Sequence, residues 1–230
     1  MYEPQERLGR LYAPNPEDRR YLLRSLTPGA EAAAANVVSR YHYVDTILDQ
    51  GNTSSCVGAS CRGWLNAGPV RNISGPSFLD IYKAGQKIDE WPGEEPAYYG
   101  TSVRAGFKVL KSLGYVSTYG WAFDLETALN HILTVGPMVF GTTYTTEMMR
   151  ADKDGFIHYD GQEVGGHAYL IVGANRETKC PDGSKGAIRM VNSWGRDWAQ
   201  NGRAWISFKD AEALIKDYGE ACTAFESKPA

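Results

Sequence analysis

The sequence predicts an α+β fold, on three observations. Apolar residues at helical spacing fill the first half of the chain. Short apolar runs bounded by Gly, Asp and Asn fill the second half. The two patterns are segregated rather than alternating, which argues against a βαβ chain. The 230 residues are 43% hydrophobic and 22% charged, an ordinary globular balance. That length can bury a core without disulfide or metal staples. Gly and Pro, at 25 and 11 residues, are too few for a low-complexity chain, so disorder over the whole length is excluded.

Residues 1–40 read as an arm. Pro14, Pro16 and Pro28 deny it a long helix, leaving extended chain with a short helix over 30–39 at the alanine run. Residues 41–230 read as one unit without internal repeats, helical over about 41–125 and β-rich over about 126–230. The turn-rich segment 49–55 leads into a helix over 56–64, which Ser54 or Ser55 can cap. A second helix follows at 77–84, then an acidic, Pro-containing loop over 91–99. An amphipathic helix over 102–113 closes on Gly114, and another over 125–135 stops at Gly136-Pro137. Strands are expected at 138–142, 168–173, 187–192 and 204–208.

Composition narrows the function. Lys and Arg number 24 against 27 Asp and Glu, a net charge of −3, so there is no basic excess for nucleic-acid phosphate. The longest apolar stretches fall short of the ~20 residues of a membrane-spanning helix. The first residues, MYEPQERLGR, show no apolar signal segment. Cys56, Cys61, Cys180 and Cys222 form no CxxC pair, and no His stands at zinc-ligand spacing from two of them. No metal or cofactor is expected. So few cysteines fit a reducing compartment, and a cytoplasmic location is favoured. Whether Cys180 and Cys222 pair is left open.

Three segments can carry chemistry. Cys56 opens a helix, and a helix N-terminus favours the thiolate. Cys61, five residues on, reads as an inert core thiol. Of His42, His131, His158 and His167, the first three read as structural. His167 heads a buried strand behind Gly165 and Gly166, which let a backbone approach closely. A satisfied core histidine is the competing reading. Asn192 closes a strand before Trp194 and Trp198, where its amide could orient an imidazole or simply shape a turn.

Together these segments resemble the papain-like cysteine peptidases. Gln50-Gly51-Asn52-Thr53-Ser54-Ser55-Cys56 matches that family's Gln-Gly-x-x-x-Ser-Cys segment. Gly166-His167-Ala168 matches its histidine strand, and Asn192-Ser193-Trp194-Gly195 with Trp198 and Gly202 its asparagine segment, in the family's order. Pro16-Glu17-Asp18-Arg19-Arg20-Tyr21 and Gly100-Thr101-Ser102-Val103-Arg104 are similar to bacterial and phage members. Thr53 stands where the family commonly has a disulfide cysteine, and Val57 where an aromatic residue often follows the nucleophile.

The resemblance implies a papain-like fold of two subdomains, the second β-barrel-like, with the active site in the cleft between them. It implies Cys56 as nucleophile, His167 as its base and later acid, and Asn192 orienting the imidazole. The Gln50 amide and the Cys56 N–H would form the oxyanion hole, and Trp194 would shield the His–Asn hydrogen bond. Gly100 and Thr101 would bind the backbone of a protein or peptide substrate as an added strand, and Glu226 would floor a pocket for a basic side chain. Nucleic acid and membrane are not expected as partners. The same triad serves acyl transfer, and a silent peptide-binding module is a further reading. Residues 1–40 either pack on the body or lie in the groove as a self-inhibitor, over a thiolate that is formed but occluded.

Overall fold

The computed structural model describes residues 7–91, 93 and 99–227; most of the loop expected over 91–99 lies outside the described residues. Within the arm, a 3-10 turn (Pro16–Tyr21) precedes α1 (Leu23–Leu26), α2 (Ala30–Ala34) and β1 (Ser39–Tyr41). Then come α3 (Cys56–Asn66), α4 (Phe78–Gln86), α5 (Val103–Ser112), β2 (Val116–Ala122), α6 (Leu125–Thr134) and β3 (Met138–Thr145). The chain continues through β4 (Glu163–Lys179), β5 (Lys185–Val191), β6 (Arg203–Ser207), α7 (Phe208–Lys216) and β7 (Glu220–Glu226).

Local chemistry sets most helix starts. The side chains of Ser77, Ser102, Asp124 and Ser207 each accept the N–H three residues on, at the heads of α4, α5, α6 and α7. α3 differs. Ser55 is its N-cap residue but makes no side-chain cap bond; its hydroxyl pairs with Thr53 instead. With two glycines, a serine and two cysteines α3 has modest helix propensity, yet all eleven of its residues are buried. Tertiary packing holds it, and the small residues permit the closeness: a Cβ on Gly58 would stand 2.2 Å from the Phe78 carbonyl oxygen.

The strands form one antiparallel sheet in the order β2-β7-β3-β4-β5-β6, with β1 added on β4. Alternation along the strands divides its two faces. Met138, Phe140, Tyr169 and Ile171 join one core with Leu129 and Ile132 of α6 and Leu214 of α7. Val139, Ala168, Leu170 and Val172 join the other with Val57 and Leu65 of α3 and Phe107 of α5. Both faces are therefore buried. The barrel-like expectation is corrected: the sheet is open, with β2 and β6 at its ends. β2 also falls in the stretch expected to be helical, and α7 in the stretch expected to be β-rich.

Candidate active site

Two elements meet end to end at the site. Cys56 is the first residue of α3, and His167 lies near the start of β4 opposite Thr142 of β3. The Cys56 thiol is held at the backbone amide of Ala168, the residue after His167. His167 Nε2 lies 2.8 Å from Asn192 Oδ1. That oxygen also accepts the Ser193 N–H at 2.8 Å, which fixes it as the acceptor of the amide. Nε2 must then carry the proton, so in the neutral ring Nδ1 is the free base. Nδ1 is buried and makes no hydrogen bond among the described residues.

Aromatic rings enclose the imidazole. Trp194 lies 4.9 Å away, tilted by 34°, and Tyr144 meets it edge-on at 4.8 Å. Trp194 thus covers the ring that bonds Asn192. Gln50 is threaded into the same network. Its Oε1 accepts from Ser193 Oγ at 2.6 Å, its backbone N–H reaches the Ser193 carbonyl, and its Nε2 donates to the Thr53 carbonyl at 2.5 Å. One Nε2 proton remains uncommitted by these bonds. Ser193 was not singled out in the sequence; its place between Asn192 and Trp194 was the available signal.

The arm crosses this site. Gly9 and Arg10 N–H both donate to the Gly166 carbonyl at 3.0 Å. On the other wall, Thr101 N–H donates to the Gly9 carbonyl and Leu11 N–H to the Thr101 carbonyl, a parallel bridge. Trp194 Nε1 donates to the Arg7 carbonyl at 3.2 Å. Bare glycine walls make this approach feasible. A Cβ on Gly100, whose φ is 126°, would stand 2.3 Å from the Gly9 carbonyl oxygen, and one on Gly166 would stand 2.2 Å from that of Arg10. Thr101 is anchored behind the edge by its hydroxyl bond to Asp89 Oδ2 at 2.7 Å.

Beneath this cover Cys56 and His167 are fully buried. Burial pushes the thiol up to about 12, against the pull of the Ala168 and Val57 amides. It lowers His167 to about 4, the Asn192 contact pulling the other way. Burial thus works against the charged form of both groups in the closed site.

Glu226 does not reach the cleft. It is exposed at the far end of β7, opposite Val116. The buried acid is Glu220, at the strand's other end and opposite Gly141. Arg104 and Asp18, from the two segments that resemble bacterial and phage members, are ion-paired at the foot of the arm; Arg104 also pairs with Glu90. All four cysteines are free, and Cys180 and Cys222 lie in separate cores. Among the described residues there is no metal-binding cluster of His, Cys, Asp and Glu, and no helix long and apolar enough to cross a membrane.

No family model matches the chain. An uncharacterised peptidase C1-like protein of Acanthamoeba polyphaga mimivirus is 24% identical over 221 residues, covering 74% of this chain and 68% of that protein. A cathepsin B-like cysteine proteinase of Caenorhabditis elegans is 27% identical over 86 residues, covering 37% of this chain but only 21% of the relative. Xylellain, a cysteine protease from Xylella fastidiosa, superposes with a TM-score of 0.70 at 17% identity over 98% of this chain and 99% of its own. The chain has the papain-like fold and is similar to papain-like cysteine peptidases. The papain-like fold recurs in a procathepsin B from Trypanosoma congolense, with a TM-score of 0.58 at 14% identity over 99% of this chain and 85% of that one.

Proposed function

We propose that this cysteine peptidase hydrolyses peptide bonds through Cys56, His167 and Asn192, and that residues 7–12 hold it in a self-inhibited form. The observation that carries the reading is the Asn192–His167 hydrogen bond, which leaves Nδ1 as the free base, while the helix-terminal Cys56 thiol sits at the amide of the next residue, Ala168. With the cleft open to water, His167 takes the Cys56 proton. The thiolate attacks the substrate carbonyl carbon, and the C–N bond breaks as the imidazolium protonates the leaving amine. Water, deprotonated by His167, then attacks the thioester; the C–S bond breaks and the thiol is restored. The uncommitted Gln50 N–H and the Cys56 backbone N–H face the developing oxyanion. Asn192 holds the ring in the working tautomer while Trp194 excludes water from their bond. Gly100 and Thr101 offer a substrate backbone the edge that the arm uses in the closed form.

Hydrolysis of blocked fluorogenic peptides in the presence of a reducing agent tests this. Cys56→Ala and His167→Ala should each abolish turnover with the fold intact, and Asn192→Ala should lower kcat less. Cys61→Ala should leave the rate near that of the parent. If Cys61→Ala kills turnover and Cys56→Ala spares it, the nucleophile is misassigned.

A further inference from the structure

Gln50 and Cys56 stand at the two ends of one short loop, and Thr53 clasps that loop from its middle. Thr53 Oγ1 donates to the Gln50 carbonyl at 2.6 Å, while Gln50 Nε2 donates to the Thr53 carbonyl at 2.5 Å. The two bonds tie the residues reciprocally. The Thr53 hydroxyl also lies 2.7 Å from Ser55 Oγ. A hydroxyl has one proton, and that of Thr53 is given to the Gln50 carbonyl, so Ser55 is the donor of this further bond.

The Ser55 end matters because ψ of a residue sets the direction of the next N–H, here that of Cys56. At the N-caps of α4, α5, α6 and α7, ψ lies between 151° and 158°, and each side chain accepts an N–H of the first turn. At Ser55 ψ is 22° and no such bond forms, although serine is among the preferred capping residues. The Cys56 N–H is therefore aimed differently from the first N–H of α4 to α7. Ser55 is fully buried, so its hydroxyl needs a partner. Thr53 supplies one. Without it, the first turn of α3 offers the ordinary alternative, which draws Ser55 toward the extended cap conformation and turns the Cys56 peptide.

We propose that Thr53 is a positioning residue for oxyanion stabilisation, holding Gln50 through one pair of bonds and the Cys56 peptide through Ser55. The role rests on the peptidase reading above. Thr53 itself is exposed, so losing its hydroxyl removes the clasp and leaves core packing alone.

The test compares two reactions of Cys56 in the full chain. With a blocked alanine p-nitrophenyl ester, the Cys56 sulfur bonds to the carbonyl carbon and its proton passes to His167. The C–O bond then breaks to release p-nitrophenolate, so an oxyanion develops on the way. Iodoacetamide alkylates the same sulfur by displacing iodide, and no oxyanion develops. Mass spectrometry locates both products on Cys56. Thr53→Val should slow acylation at least about tenfold and leave alkylation within about twofold of the parent, because a lost oxyanion donor costs about a hundredfold or more. Thr53→Ser keeps the hydroxyl and should return acylation to near the parent rate. Undiminished acylation in Thr53→Val, both reactions slowed in parallel, no rescue by Thr53→Ser, or no acylation of the parent would each overturn the assignment. Should Thr53→Val fail to fold, Ser55→Ala cuts the clasp from its other end. The same split is expected there, and a parallel change or none would again contradict the role. The expected split, with peptides left intact by every chain that retains Cys56, would sink the peptidase reading and leave the positioning role standing.

Discussion

The described residues of the arm, 7–41, divide into two parts that are held in different ways. Residues 7–12 are attached through their backbone, to Gly166 on one wall and Thr101 on the other, with Leu8 in the core and Arg10 as their charged anchor. Residues 13–41 are attached mainly through side chains. Asp18 is paired with Arg104, Leu23 and Ala34 are fully enclosed in the core, and β1 extends the sheet on β4. Backbone pairing in a cleft can be exchanged for the backbone of another peptide. Leu8 is buried in the core as well, and Arg10 is ion-paired with Glu220, so residues 7–12 carry side-chain anchors beside their exchangeable backbone bonds. On the proposed reading, the first part is the occupant of the site through these exchangeable backbone bonds, and the second is part of the body.

The sharpest way to break this comparison is to attack the anchored part. Asp18→Ala leaves the Arg104 guanidinium, 3% exposed, with Glu90 as its remaining carboxylate. Removing one partner of a buried pair costs about 3 kcal/mol or more. The midpoint of urea unfolding should fall accordingly, with Cys56 still shielded in the protein that remains folded. A negligible shift would mean that this contact does not tie residues 13–41 to the body.

Acid probes the same region through α6, on which α2 of the arm rests. Burial lowers His131 of α6 to about 3, with His42 adding to the effect, and lowers His167 to about 4. Both folded values lie below the ordinary 6.5. The unfolded chain therefore binds more protons, and stability fully present above pH 6.5 is lost as pH falls toward 4. Each histidine contributes a slope of about 1.4 kcal/mol per pH unit at most. Glu220, raised from 4.5 to about 6 by burial, acts with the opposite sign in that window and offsets part of the loss. The Tm should drop between pH 7 and pH 5, and His131→Leu should flatten the drop by about 1 kcal/mol per unit. A slope unchanged by that substitution would contradict the buried, neutral state.

What the sequence disclosed and what it hid follow the same divide between local and non-local information. Cys56, His167, Asn192 and Gln50 sit in short motifs, and the fold brings these motifs together. Trp194 was legible beside Asn192 for the same reason. The buried acid was not. Glu220 and Glu226 bracket one strand of mostly small residues, and only the pairing of β7 with β3 tells which end meets the cleft. β2 carries a glycine and three hydroxyl residues, with no strict alternation to mark it before it is paired. The arm's division was hidden too, because backbone hydrogen bonds leave little trace in side-chain pattern. Only Gly9, Gly100 and Gly166, bare where chains cross, mark its path.

The central claim is that residues 7–12 close a competent Cys56 site. A chain beginning at Ala13 keeps every anchor from Asp18 to β1 and loses the cleft occupant together with the buried Leu8. The direct measurement is the rate at which iodoacetamide alkylates Cys56, in that chain and in the full one, followed by mass spectrometry of the modified peptide. A tethered segment of this kind raises its local concentration enough for an effect of roughly a hundredfold or more. The account predicts an increase of that size in the trimmed chain, matched by a gain in peptide hydrolysis. Equal alkylation rates in two folded chains would contradict it.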